Sequence, residues 1–220
     1  MDYVAAYRST RERCLDLAQD LTDDEITQTV LPSPAWTVKD TYAHMVGAIV
    51  DVMAGNMDGF ATDAWTAAQV TARADASLEQ ICHEWMRVGP EFEAAFDPDH
   101  HTGLVAGSWT HEQDVRGSLG LRGVGDTGGM EATLEQVDRI GPRIDEAGLA
   151  GLRIIAGDHT WALGSREPAA TLTTTPYLMA RLVYGRRSPA QVKALAWEGD
   201  PDPYLELLGH YGLAARDITD

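Results

Sequence analysis

Apolar positions recur at helical spacing over the first half of the chain and alternate over part of the second. In residues 2–21, Val4, Tyr7, Cys14, Leu15, Ala18 and Leu21 form a helical stripe, interrupted by Arg11. TDDE then signals a short capped turn, and LPSPAW is a Pro-rich connection. Thr37 is the expected N-cap of a helix from Val38 to about Ala54, with Asp40 completing an acidic capping box and Trp36 as its hydrophobic staple. A third helix is expected over residues 77–96, capped by Ser77 and bent near Gly89–Pro90, and a fourth over Leu104–Leu119. These four predict an antiparallel bundle.

GLRGVGDTGGMEA breaks the periodicity and marks a domain boundary, giving a bundle at 1–122 and a second domain at 130–220. No strand precedes this glycine-rich run and no GK[ST] follows it, so it is not read as a phosphate loop. After a connecting helix over residues 131–148, LRIIAG, HTWALG and AATLTTT read as strands. PYLMARLVYGRR, then SPAQVKAL with Ser188 as N-cap, then DPYLELLGHYGL read as helices. The fold class expected is therefore α+β, a helical bundle followed by a small α+β domain.

Composition narrows the function. A formal net charge of −17 repels nucleic acid and anionic membranes. No apolar run approaches the length of a membrane span and no signal peptide opens the chain, so a cytoplasmic location is expected. The two cysteines, Cys14 and Cys82, form no CxxC pair, which argues against a disulfide framework or a cysteine zinc site. Oligomeric state is not legible.

Two histidines carry the candidate chemistry. On the second helix His44 lies at the edge of the stripe made by Val38, Tyr42, Met45, Ile49 and Val52, beside Thr41, Ala48 and Asp51. On the fourth, Leu104, Gly107, His111, Val115 and Ser118 share a face, with Asp114 close to it. Both histidines also fit as core residues with one satisfied hydrogen bond. Alternatively, they meet across the bundle, where side chains of facing helices build metal sites. Trp36, Trp85 and Trp109 read as core.

PAWTVKDTYAHM resembles the W-[ST]-V-[RK]-D-x-x-A-H-[LM] signature of the mycothiol-dependent maleylpyruvate isomerase branch of the DinB-like superfamily. WTAAQVTARADASLEQICHEW and WTHEQDVRGSLG resemble two further segments of that family, and LVYGRRSPAQ and AWEGDP resemble parts of its C-terminal domain. The resemblance implies a DinB-like four-helix bundle followed by a small α+β domain similar to sterol carrier proteins. It implies a divalent metal, commonly zinc, held by His44, His111 and a carboxylate four residues before the latter. That last position here is Gly107, which has no side chain. Asp114, a water, or a loop histidine (His100 or His101) is left to supply the missing donor, or the site holds no metal.

The activity implied is metal-assisted, mycothiol-dependent isomerisation or thiol transfer, in which the metal binds the thiol and lowers its pKa. A bound thiolate adds to the double bond of a small electrophilic carboxylate, and rotation and elimination follow. A metal-free, non-catalytic ligand-binding relative is the alternative. Arg186 and Arg187 are the candidate anchors for the substrate carboxylate, in a cleft expected where the bundle meets the C-terminal domain. The partners expected are a small-molecule substrate and a low-molecular-weight thiol.

Overall fold

In the computed structural model, which describes residues 1–125 and 127–220, the chain divides into two units, Met1–Val124 with Asp220 and Gly125–Thr219. Residue 126, within the glycine-rich stretch read as the boundary, lies outside the described residues.

Unit 1 is helical: α1 (Tyr3–Gln19), α2 (Asp23–Ile26), α3 (Val38–Met53), α4 (Asp63–Thr71), α5 (Leu78–Ala94) and α6 (Pro98–Ser118). Both α1 and α3 pack against α5 and α6, so the four long helices ring a common core with α1 and α3 at opposite corners. Trp85, Trp109, Tyr7, Tyr42 and Phe92 fill that core with no more than trace exposure. Their polar tips are satisfied: Trp85 Nε1 donates to Tyr7 Oη at 2.8 Å and Tyr42 Oη donates to the Cys14 carbonyl at 2.7 Å. Arg11, the break in the α1 stripe, is buried against Glu93 of α5 at 3.0 Å. It lies over Gly89, where a Cβ would fall 2.5 Å from Arg11 Cδ.

The expected third helix is α5, which runs through Pro90. The structure departs from expectation in two places here. α6 starts at Pro98 rather than Leu104, because Asp97 caps it and proline is favoured in a first turn. α4 was not expected at all; Thr62 caps it, its Oγ1 accepting from Trp65 N at 3.3 Å.

Unit 2 opens with α7 (Gly128–Leu134), a 3₁₀ segment (Glu135–Arg139) and α8 (Ile140–Glu146), where one continuous helix was expected. Pro142 explains the break: it has no N–H for a continuing ladder, and its ring would press on the carbonyl of Asp138. A four-stranded sheet follows, in the order β2-β1-β3-β4. Its strands are β1 (Gly151–Ala156), β2 (His159–Leu163), β3 (Pro168–Thr174) and β4 (Ala196–Glu198). β1 pairs antiparallel with β2 and parallel with β3, and β3 pairs antiparallel with β4. Leu152, Ile154 and Ala156 alternate onto the buried face.

Helix α9 (Pro176–Val183) ends in a Schellman motif. Gly185 sits at φ +75°, its N–H donates to Leu182 O, and Arg186 N–H donates to Arg181 O. α10 (Pro189–Lys193) carries the expected Ser188 cap as a full capping box with Gln191. The last expected helix shrinks to a 3₁₀ turn (Asp202–Tyr204) and α11 (Leu205–Leu208). There Gly209 and Gly212 approach so closely that a Cβ on Gly209 would lie 2.5 Å from Gly212 O. Among the described residues no helix is long and apolar enough to cross a membrane.

Candidate functional site

The start of α3 fixes where its histidine falls. Thr37 Oγ1 accepts from Asp40 N at 3.2 Å, and Asp40 Oδ2 accepts from Thr37 N at 2.9 Å. Two turns on, His44 is 9% exposed. His111 projects from α6, which packs on α3. The two imidazole rings face each other edge to face, centroids 5.0 Å apart and planes at 88°. Trp36 lies against both, at 4.9 Å from the His44 ring and 6.1 Å from the His111 ring. This corrects the reading of Trp36 as core. It is half-buried beside the histidines, whereas Trp85 and Trp109 are core.

His44 is held from the side of α4. Its Nδ1 lies 2.7 Å from Gln69 Oε1, and Gln69 Nε2 donates to Asp51 Oδ2 at 2.7 Å. Asp51 Oδ1 in turn accepts from Asn56 Nδ2 at 3.0 Å, and Asn56 O accepts from Trp65 Nε1 at 3.0 Å. The close seat of α4 depends on Gly47. A Cβ there would fall 2.5 Å from Gln69 Cβ and 2.8 Å from Arg73 Nη1. Arg73 pins the end of the helix to α5 through a two-pronged bond to Glu84, both arms 2.7 Å.

Helix phase assigns no site role to Gln69, Asn56 or Trp65, and it places Asp51 only as a neighbour of His44. Asp51 was the most legible of them: seven residues after His44, it returns to the same helix face.

Asp114 Oδ2 lies 3.2 Å from His111 Nδ1 in a geometry that does not make a hydrogen bond. Glu112, between them in sequence, faces elsewhere, accepting from Arg13 at 2.6 Å and Arg116 at 3.0 Å with its side chain fully buried. Gln113 Oε1 accepts from Val124 N at 2.7 Å. The short run HEQD thus divides between one site pair and two structural side chains.

Around Gly107, one turn before His111, a Cβ would meet nothing within 4 Å. His101 lies ten residues before His111, about 15 Å along the helix axis, and its Nδ1 accepts from Asp97 N at 2.9 Å. His100 pairs with Asp97 at 2.9 Å. Both were expected in a loop but stand in the first turn of α6, and neither is at the pair. Among the described residues no three His, Cys, Asp or Glu side chains are grouped to hold a metal ion. His44 and His111 offer two imidazoles, one donor short of the usual catalytic zinc set.

In unit 2, Arg186 is half-buried and its Nη1 donates to Tyr184 O at 2.6 Å. Arg187 is buried, and its Nη1 donates to Arg186 O at 2.5 Å. Both hold the loop that follows the Schellman motif.

The chain's own thiols are unsuited to nucleophilic work. Burial pushes the Cys14 thiol far above its ordinary range and the Cys82 thiol up to about 11.

Residues 7–127 match the family described as the mycothiol maleylpyruvate isomerase N-terminal domain. Two solved structures share the fold: a mycothiol-dependent maleylpyruvate isomerase, and a histidine-to-alanine mutant carrying that name. The first has 12% identity and a TM-score of 0.54 over 84% of this chain and 88% of that one. The second has 12% identity and a TM-score of 0.53 over 83% and 88%. No curated protein matches the sequence.

Proposed function

The chain belongs to the mycothiol maleylpyruvate isomerase family, and from that premise we propose that it is a mycothiol-dependent isomerase or thiol transferase acting on a small electrophilic carboxylate. The facing imidazoles of His44 and His111, 5.0 Å apart beside Trp36, carry the reading. An imidazole nitrogen there takes the proton of a bound thiol, leaving a thiolate beside an imidazolium. The thiolate adds to one carbon of the substrate double bond, and the electron pair moves towards the activating carbonyl. Rotation about the new single bond and expulsion of the same thiolate give the trans isomer, and the proton returns to sulfur. With a leaving group in place of the double bond, the thiolate forms the C–S bond as the carbon–leaving-group bond breaks; the leaving group departs with that electron pair and takes up the imidazolium proton directly or through solvent, leaving a thioether.

Arg186 and Arg187 of unit 2 are proposed as carboxylate-binding side chains, because a guanidinium makes two parallel bonds to a carboxylate and lysine does not. A cytoplasmic location and a sterol-carrier type of fold for unit 2 belong to the same proposal. Among the described residues the donors present do not complete a three-ligand metal centre.

The test is to supply the purified protein with mycothiol and a panel of cis-unsaturated carboxylates, following trans product or thioether. Turnover that needs mycothiol and falls at least about a hundredfold in His44→Ala and His111→Ala supports the proposal, on the usual scale of general-base catalysis. Turnover equal in wild type and variants overturns it. Gly107 favours a second reading, a ligand-binding relative without catalysis. That reading is distinguished by mycothiol binding in calorimetry with no turnover across the panel.

A further inference from the structure

The hydrogen bonds behind His44 have a direction that one side chain dictates. A carboxylate accepts and does not donate, so Asp51 Oδ2, 2.7 Å from the Gln69 amide, must face its NH₂ group. That sets Gln69 Oε1 towards His44, and an amide oxygen only accepts. The 2.7 Å contact with His44 Nδ1 then requires the proton to sit on Nδ1.

Each member is itself held in place. Asn56 Nδ2 donates to the second oxygen of Asp51 at 3.0 Å. Gln69 is 2% exposed, on a helix seated against Gly47.

We propose that Asp51 and Gln69 form a one-way relay that fixes His44 as its Nδ1–H tautomer and makes Nε2 the basic nitrogen of the site. Gln69 and Asp51 are thus positioning residues, acting through His44. The relay stands on this geometry alone and holds whether or not the thiol chemistry above is right. Its logic is that of the partners that orient a working imidazole through its other nitrogen, with an amide inserted between carboxylate and ring.

The experiment reads the tautomer directly, by long-range ¹H–¹⁵N spectra of the histidine side chains in the full chain, at a pH where His44 is neutral. Wild type is expected to show His44 protonated on Nδ1 by a ratio above about tenfold, the size of one net hydrogen bond. In Gln69→Leu the ratio drops by about tenfold, because nothing accepts from Nδ1. In the exchange variant Asp51→Asn with Gln69→Glu, the carboxylate now adjoins His44 and accepts from both sides, so the Nδ1–H form is retained.

Wild-type His44 protonated on Nε2 overturns the relay. So does a folded Gln69→Leu protein with an unchanged ratio, or an exchange variant that has lost the Nδ1–H form. Should Gln69→Leu fail to fold, wild type and the exchange variant decide the matter.

Discussion

Replacing Gly47 by alanine should destabilise unit 1 and loosen His44, although the same change in a helix interior ordinarily stabilises. Glycine in a helix is less favourable than alanine by about 1 kcal/mol, so propensity alone predicts a gain of that size. Packing opposes it. The new Cβ would lie 2.5 Å from Gln69 Cβ and 2.8 Å from Gln69 Cγ and Arg73 Nη1, whereas carbon atoms rest at about 3.5–4.0 Å. The nearest obstacle is the root of a side chain, which cannot swing aside, so α4 must retreat by about 1 Å. Overpacking of this kind costs about 1–3 kcal/mol. A 1 Å retreat also carries the 2.7 Å bond between His44 Nδ1 and Gln69 Oε1 out of range, a further loss of about 1 kcal/mol. The net expectation is a destabilisation of about 1–3 kcal/mol. Gly107→Ala is the internal control: its Cβ meets nothing within 4 Å, so it should gain stability by up to about 1 kcal/mol. Urea denaturation of the two variants beside wild type measures both, with the His44 side-chain resonances recorded on each sample. A Gly47→Ala protein as stable as Gly107→Ala, with unmoved His44 resonances, would refute the argument that Gly47 seats α4.

Gly107→Glu places a carboxylate one turn before His111 in open space, so zinc affinity measured by titration should rise on the order of tenfold or more over wild type. Equal affinities with an ordered carboxylate would mean that position 107 does not face the pair. With its thiol pushed up to about 11, Cys82 is ionised only to about one part in a thousand at pH 8. Both cysteines should therefore label with a thiol reagent far more slowly in the folded chain than in urea. Burial lowers the His210 imidazole below its ordinary 6.5, outweighing the bond to Gln136 O that raises it. Because the unfolded chain then binds the proton more readily, this histidine withdraws stability as pH falls from about 6.5 towards the folded value. His210→Asn should flatten the fall in denaturation midpoint over that range, and an unchanged slope would contradict the shift.

The elements legible in the sequence were those with strong local signals. Thr37 with Asp40, Ser77 with Gln80 and Ser188 with Gln191 each cap a helix in the structure. The alternation in LRIIAG gave β1 its face. α4 escaped because its nine residues carry only two buried side chains, Trp65 and Gln69, too few for a visible stripe. β4 escaped because three residues give no periodicity, and the final helix was overread because Gly209 acts through a tertiary approach to Gly212. Of the site, His44 and His111 were legible through helix phase. Gln69 lies in the segment WTAAQVTARADASLEQICHEW that resembles the family, but helix phase assigns it no role, because that role depends on α4 being drawn in over Gly47. Trp36 looked like a core staple because an indole beside two imidazoles leaves the same apolar mark as one in a core.

The claim that His44 and His111 form the thiol site is tested most directly by ultraviolet difference spectroscopy of mycothiol added to the protein near neutral pH. A thiolate absorbance that saturates with one thiol per chain and disappears in His44→Ala and in His111→Ala is the expected result. Mycothiol bound wholly as the neutral thiol, or a thiolate signal undiminished in both variants, would contradict it.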